Sequence, residues 1–506
     1  MKSKSFVPPN TPRDAKRNPA RKPLASFGVF GGQSSAFRIA YLPFYVDYYE
    51  GICPDFPREK MANARRCADT LANHGEVVWD GELIRNVDAA RAIGKRLASQ
   101  QLDCVVVFTS IAVFGAIPWA ALEPLRVPIL IWNAQQIQTV GKGYTMVEIV
   151  RNTGQIGTQA LANTLVREGR WFRVVTGYEK SKRTAEELAR FFAVVRAVNA
   201  VKNARLLAIG QFFPAMTDIL MDETALAKDL GPKVVHVSNE ELTKRYKAVA
   251  ASVSEWKAQP LAHARGYEVR ELTDDESLRS SRLCATLQSL VEEHRGDAGT
   301  LNCHVGVCLR NPEIGITACY SLGVQNSQGR PFTCTGDLPT AIAMLILKKL
   351  TGISMYTEVQ VMDEKRKAIV IANSGEGEDG IRRKGSKAVV RGNTNFKGVH
   401  GRGASFAYPL HPGPATVISF SPIHPLPHSS TLPYRLICAE GEILRETLPD
   451  AGALAGFFRF KNTALHTGYT RWLEAGAVHH AATTLGHWSR ELKSLCELLN
   501  IEFVQV

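Results

Sequence analysis

Val105, Val106 and Val107 stand in a row within the run 102–108, and a second run of the same kind, 127–132, follows one helical stretch later. β-branched residues in succession load both faces of a strand, so both faces need cover. Crossover helices over a parallel sheet supply it, with right-handed connections. From residue 26 onward the chain alternates such runs with helical stretches. Strands are expected at 27–30, 76–79, 102–108 and 127–132, with helices at about 59–74 and 86–100. A second set follows, with strands at 172–176, 205–209 and 233–237 and long helices near 180–200 and 239–257. After Leu350-Thr351-Gly352 the apolar period changes to two, at 356–362, 368–371, 415–420 and 435–438, before a closing helix near 488–499. The expectation is two Rossmann-like α/β domains, 25–170 and 171–352, followed by a β-rich C-terminal domain, 353–506. No solenoid repeat is present.

Composition excludes several classes. Hydrophobic residues at 45% and charged residues at 22% of the 506 are globular proportions. No apolar run reaches the roughly 18 residues of a membrane span. The net charge of +13 is unevenly spread. Lys2, Lys4, Arg13, Lys16, Arg17, Arg21 and Lys22 face only Asp14 in the first 25 residues, among Pro8, Pro9, Pro12, Pro19 and Pro23. Residues 1–24 therefore read as a disordered basic tail without a secretory apolar core. What charge remains is modest, which argues against nucleic acid as a partner. Ten cysteines without a C-x-x-C pair read as reduced, structural thiols and a cytoplasmic location. Cys303 and Cys308 are close, with no matching second pair for zinc.

Three fragments carry candidate chemistry. Pro312-Glu313 precedes Thr333-Cys334-Thr335-Gly336-Asp337-Leu338-Pro339. Asp337, at a strand-to-helix junction, reads as an N-cap when taken alone, and such junctions also open onto ligand crevices. The pair His479-His480 offers one metal ligand, since adjacent side chains diverge; a packed or surface pair is the bland alternative. Gly31-Gly32-Gln33 closes the first expected strand but lacks a full dinucleotide fingerprint. The segment from Arg382 to Arg402 holds seven basic residues and no acid. It is a solvated face or an attractor for an anionic substrate.

Together these fragments resemble the L-fucose and L-arabinose isomerase superfamily. The likeness rests on Asp337 with Ala343-Met344-Leu345 and Leu350-Thr351-Gly352, on Asn373-Ser374-Gly375, and on Val478-His479-His480 with Gly486-His487. The Ile501-Glu502-Phe503-Val504 ending and Gly32-Gln33 are similar to the arabinose branch. It is patchy over 25–300 and near-continuous from 311. The resemblance implies an aldose–ketose isomerase acting on a sugar or sugar derivative. It also implies a divalent ion, Mn2+ in type, held by Glu313, Asp337 and His480, with Glu313 and Asp337 as the carboxylates that move the proton through an enediol. Asn373, His479, Gln33 and Arg38 are the implied sugar-binding residues. The last two would be donated across the interface of a trimer or hexamer. One departure stands out: the family has Glu where this chain has Thr335. A non-catalytic sugar-binding or regulatory protein on the same scaffold is the competing reading.

Overall fold

The computed structural model describes residues 36–249, 261, 266–304, 306–423, 432–448 and 451–506. The basic tail, the strand expected at 27–30 and Gln33 lie outside the described residues.

The first sheet is five-stranded and parallel, in the order β2-β1-β3-β4-β5. Its strands are β1 (Arg38–Phe44), β2 (Glu76–Val78), β3 (Cys104–Thr109), β4 (Ile129–Gln135) and β5 (Phe172–Tyr178). The valine run is buried throughout, as its composition requires. Two details differ from the sequence reading. β1, a central strand, passes through Pro43, which has no N–H for a ladder and so reads as a strand breaker. It is tolerated near the strand's end, where its carbonyl accepts from Ile84 N at 2.9 Å. β5 pairs with β4 over seven registered residues, so it closes the first sheet and the boundary expected at 170 falls inside that sheet.

The second sheet takes β6 (Arg205–Ile209) and β7 (Lys233–Val237), passes over the short β8 (Glu268–Arg270), and adds β9 (Ala298–Leu301) and β10 (Phe332–Cys334). Its order is β10-β9-β6-β7, all parallel. The helix Leu338–Thr351 then runs almost wholly buried into the third region, ended by Gly352 in the left-handed conformation at φ +82°.

That region is β-rich, as expected, and it closes on itself. Its strands are β11 (Met355–Asp363), β12 (Ala368–Asn373), β13 (Val389–Gly392), β14 (Ala404–Ala407), β15 (Gly413–Pro422), β16 (Tyr434–Ile443), β17 (Leu454–Phe460), β18 (His480–Leu485) and β19 (Glu502–Gln505). The order β15-β18-β11-β12-β17-β16, with β16 pairing back onto β15, makes a six-stranded barrel, and β19 joins β16 outside it. β13 and β14 form a separate small sheet with β8.

The helix Ser489–Leu499 reaches back across the molecule. Leu492, Leu495, Cys496 and Leu499 join one core with Val194, Ala197, Val198 and Val201 of the helix Lys182–Lys202. Around that contact Arg190 pairs with Glu491 at 2.9 Å, Arg490 with Glu187 at 2.8 Å, and Arg173 with Glu497 at 2.5 Å.

Candidate active site

The carboxyl ends of β9 and β10 and one face of the barrel strands β11, β12 and β18 surround a cavity of about 670 Å³. Such sheet ends are where α/β folds present side chains to ligands. Register explains which residues meet there. Glu358 of β11 lies directly opposite His480 of β18 on one side and Ala372 of β12 on the other. Directly opposed residues of antiparallel strands share a face, and His480 Nε2 stands 3.6 Å from Glu358 Oε1. Tyr356 and Gln360 flank Glu358 two residues to either side, and all three line the cavity.

His480 is fixed from behind. Its Nδ1 meets Asp337 Oδ2 at 2.7 Å, with the two side chains 3% and 0% exposed. The other oxygen of Asp337 accepts Thr340 N at 2.8 Å, which caps the helix Leu338–Thr351. The N-cap reading of Asp337 is realised, and its second oxygen faces His480 and not the cavity. Since an ionised carboxylate only accepts, Nδ1 donates to Asp337, and Nε2 faces Glu358. Burial works against the charged ring, but the bonds to Asp337 and Glu358 prevail and raise His480 to about 9.

Two further carboxylates complete the wall. Glu358 is partly buried, which disfavours its charge, yet its bonds to His480 and Gln360 hold it below the usual glutamate range. Glu376 is 2% exposed, and burial pushes its carboxyl above that range. Cys319 Sγ donates to its Oε1 at 3.2 Å, while its buried Oε2 has no hydrogen-bond partner. Asn373 builds the turn that presents Glu376: its Nδ2 donates to Tyr356 O and Glu376 O, and its Oδ1 accepts Gly375 N.

The structure brings only part of the expected set together. Asp337 and His480 meet, but Asp337 lies behind the imidazole with both oxygens engaged. Glu313 does not line the cavity. Asn311 Oδ1 accepts the backbone N–H of Glu313 and of Ile314, a turn that sends Ile314 into the core and Glu313 outward. There its carboxylate pairs with Lys247 at 2.5 Å, 44% exposed. Asn373 and His479 do line the cavity; His479 also bonds Asp218 at 2.5 Å and lies 3.7 Å, ring to ring, from His480. Arg38 is occupied within its own sheet, at the amino end of β1, by Glu76, Gln100 and the Gln101 carbonyl. The arginines of the basic segment are engaged structurally: Arg391 pairs with Glu271, Arg402 reaches Glu276, Arg383 bonds the Arg445 carbonyl and Arg382 the Ser386 carbonyl.

Glu358, Glu376 and His304 are the cavity residues that sequence reasoning passed over. Each had a faint signal: an acid on the inward period of a strand, an acid between two glycines after a strand, and a histidine just beyond a strand end. Thr335, in place of the family's Glu, lines the cavity in the left-handed region at φ +63°. A β-branched residue is strained there. Phe213 N donates to its carbonyl at 2.7 Å and ties down the turn.

Residues 355–502 match the family model of the L-arabinose isomerase C-terminal domain. Curated relatives extend the likeness toward the N-terminus. A protein of Priestia megaterium named sulfoquinovose isomerase is 20% identical over 432 residues, covering 85% of this chain and 91% of the relative. One of Alkalicoccus urumqiensis with the same name is 21% identical over 399 residues, covering 76% and 82%. The resemblance to the arabinose and fucose isomerases drawn from the sequence is borne out.

Proposed function

We propose that this chain, similar over most of its length to sugar isomerases, interconverts an aldose and a ketose, and that its substrate is chemically close to the sulfoquinovose of its relatives' names. One observation carries the proposal. Glu358 and Glu376 line the same cavity, and their surroundings move their proton affinities in opposite directions, downward for Glu358 and upward for Glu376. Two carboxyl groups pushed apart in this way are suited to act as base and acid at one pH.

Glu358, ionised, takes the proton from the carbon next to the sugar carbonyl. Glu376, protonated, gives its proton to the carbonyl oxygen, so a neutral cis-enediol forms. The proton on Glu358, which is 34% exposed, exchanges with solvent; Glu358 then delivers a proton to the neighbouring carbon while a hydroxyl proton goes back to Glu376, and both groups end as they began. His480, clamped by Asp337, holds Glu358 in place and stabilises its charged form. Asn373 fixes the turn beneath Glu376. The manganese set expected from the sequence does not fit: Glu313 stands outside the cavity and both oxygens of Asp337 are engaged.

The test is turnover in deuterated water with aldoses and ketoses, with and without a sulfonate, followed by nuclear magnetic resonance. Deuterium at C1 or C2 of the product is expected. Conversion without deuterium would replace the enediol route by a hydride shift. Sugar binding without conversion would overturn the enzyme reading in favour of a sugar-binding protein.

A further inference from the structure

At the floor of the same cavity, β9 and β10 run parallel with Leu301 opposite Cys334. The chain leaving β9 therefore brings Cys303 and His304 against the last residue of β10. Cys303 Sγ and Cys334 Sγ are 3.5 Å apart, and one ligand atom from each of Cys303, His304 and Cys334 lies within 4.8 Å of the other two. This is the one His, Cys, Asp and Glu cluster among the described residues with that convergence. A tetrahedral ion with metal–sulfur bonds of about 2.3 Å sets its sulfurs about 3.8 Å apart, close to the spacing seen here.

The three positions are also held in place. Buried Asn302 bonds the Gln211 carbonyl through Nδ2 and accepts His304 N through Oδ1, at 2.6 and 3.1 Å. The His304 ring sits edge-on between Phe213 and Phe396. The Cys334 carbonyl accepts from Thr300 Oγ1 and from Thr335 Oγ1, and the left-handed Thr335 and Gly336 turn the chain sharply after it. All three residues line the cavity.

We propose that Cys303, His304 and Cys334 form a tripod for a divalent ion of the zinc class, with its fourth position open to the cavity. Two thiolates and an imidazole are soft and borderline donors, which suit zinc or cobalt and not manganese. Three protein ligands with an open place are the arrangement of zinc sites that meet a substrate. Binding displaces the two thiol protons to solvent. Given the isomerase reading, on which this part rests, the open position takes an oxygen of the sugar.

The experiment loads the chelator-stripped full chain with Co2+ or Zn2+ alone. One equivalent of cobalt is expected, with a near-ultraviolet thiolate-to-cobalt charge-transfer band. That band should vanish in Cys303→Ser with Cys334→Ser and persist in His480→Ala. His304→Ala should weaken binding beyond the roughly 10–100-fold that loss of an outer-shell partner costs. If the serine variants fail to fold, X-ray absorption on zinc-loaded wild-type protein decides: two sulfur ligands support the site, and a shell of oxygen and nitrogen alone overturns it. A charge-transfer band that survives the double serine variant overturns it too. Sulfur-bound zinc without sugar conversion would sink the isomerase reading alone, and conversion with no sulfur shell would sink the ion site alone.

Discussion

At Asp337 one carboxylate oxygen caps a helix and the other orients the His480 ring, so an amide there separates the two roles. Asn caps as well as Asp, but its NH2 on the imidazole side would force the ring into the other tautomer. Asp337→Asn should keep the melting temperature near that of the wild type while turnover drops by about 10²–10⁴-fold, as wrong-tautomer histidines do; Asp337→Ala should lose both. In steady-state kinetics, Glu358→Gln and Glu376→Gln should each lower kcat by about 10²–10⁴-fold with smaller changes in KM. Glu313→Gln should leave the rate unchanged, because its exposed pair with Lys247 is worth at most about 1 kcal/mol. If Glu313→Gln is the inactive variant, the carboxylate assignment fails. The sequence made Asp337 and His480 legible because a cap signal and a doubled histidine are local patterns. It misplaced Glu313 because one Asn311 turn decides whether that side chain faces the cavity or solvent. It passed over Glu358 because only cross-strand register sets it opposite His480.

Among the elements, the helix Leu338–Thr351 was legible from its start at Asp337 and Pro339, yet the cation inside it was not. Lys348 is buried and meets Glu378 at 2.5 Å, and Glu378 also accepts Gly380 N and Ser354 N. Lys348→Met leaves that carboxylate uncompensated and should destabilise by about 3–5 kcal/mol in urea unfolding. Replacing both partners by apolar residues should cost less. The helix Asp274–Glu293 begins in a capping box in which Thr273 and Glu276 bond each other's backbone N–H, and Glu276 accepts Arg402 N as well. Burial opposes the Glu276 charge, but those donors and the Arg402 guanidinium hold its carboxyl below the ordinary 4.5. A lowered folded-state value means the contribution is complete above pH 4.5 and disappears as pH falls through the folded value. Glu276→Gln should flatten the decline of stability with pH in that acid range, as read by denaturation from pH 7 downward. The covered strands β3 and β4 were readable because both their faces are apolar. β1 escaped because a central strand with Pro43 contradicts local propensity and persists only through its neighbours.

For the whole molecule, alternation of strand and helix was enough to separate α/β sheets from a β-rich region, since period and run length are carried by each segment alone. Closure of the barrel was not readable: the β15–β18 and β12–β17 pairings depend on long-range register. No helix among the described residues is long and apolar enough to cross a membrane. Tyr48, Ile52, Phe114, Met146 and Ile149 leave large apolar side chains exposed on the first α/β unit. Of these, Tyr48 and Phe114 touch edge to face; exposed apolar patches mark association, and with the family resemblance this leads us to expect three or more chains to assemble there. Light scattering on the eluted protein should show a trimer or hexamer, and Phe114→Glu with Met146→Glu should shift it toward smaller species. A wild-type monomer with full activity would contradict the expectation.

The clasp between the helices Lys182–Lys202 and Ser489–Leu499 sets a schedule on the ribosome. Val194, Ala197, Val198 and Val201 are made early, but they share one core with the helix Leu338–Thr351, which emerges roughly 150 positions later, and with the helix Ser489–Leu499, which emerges roughly 300 positions later. At roughly 5–20 residues per second this leaves part of an apolar helix face waiting for about 15–60 s. During that interval the nascent N-terminal unit carries a surface a chaperone would hold, and neighbouring nascent chains on one messenger could pair through it. Docking of the helix Ser489–Leu499 is therefore the step that covers the remainder of that face.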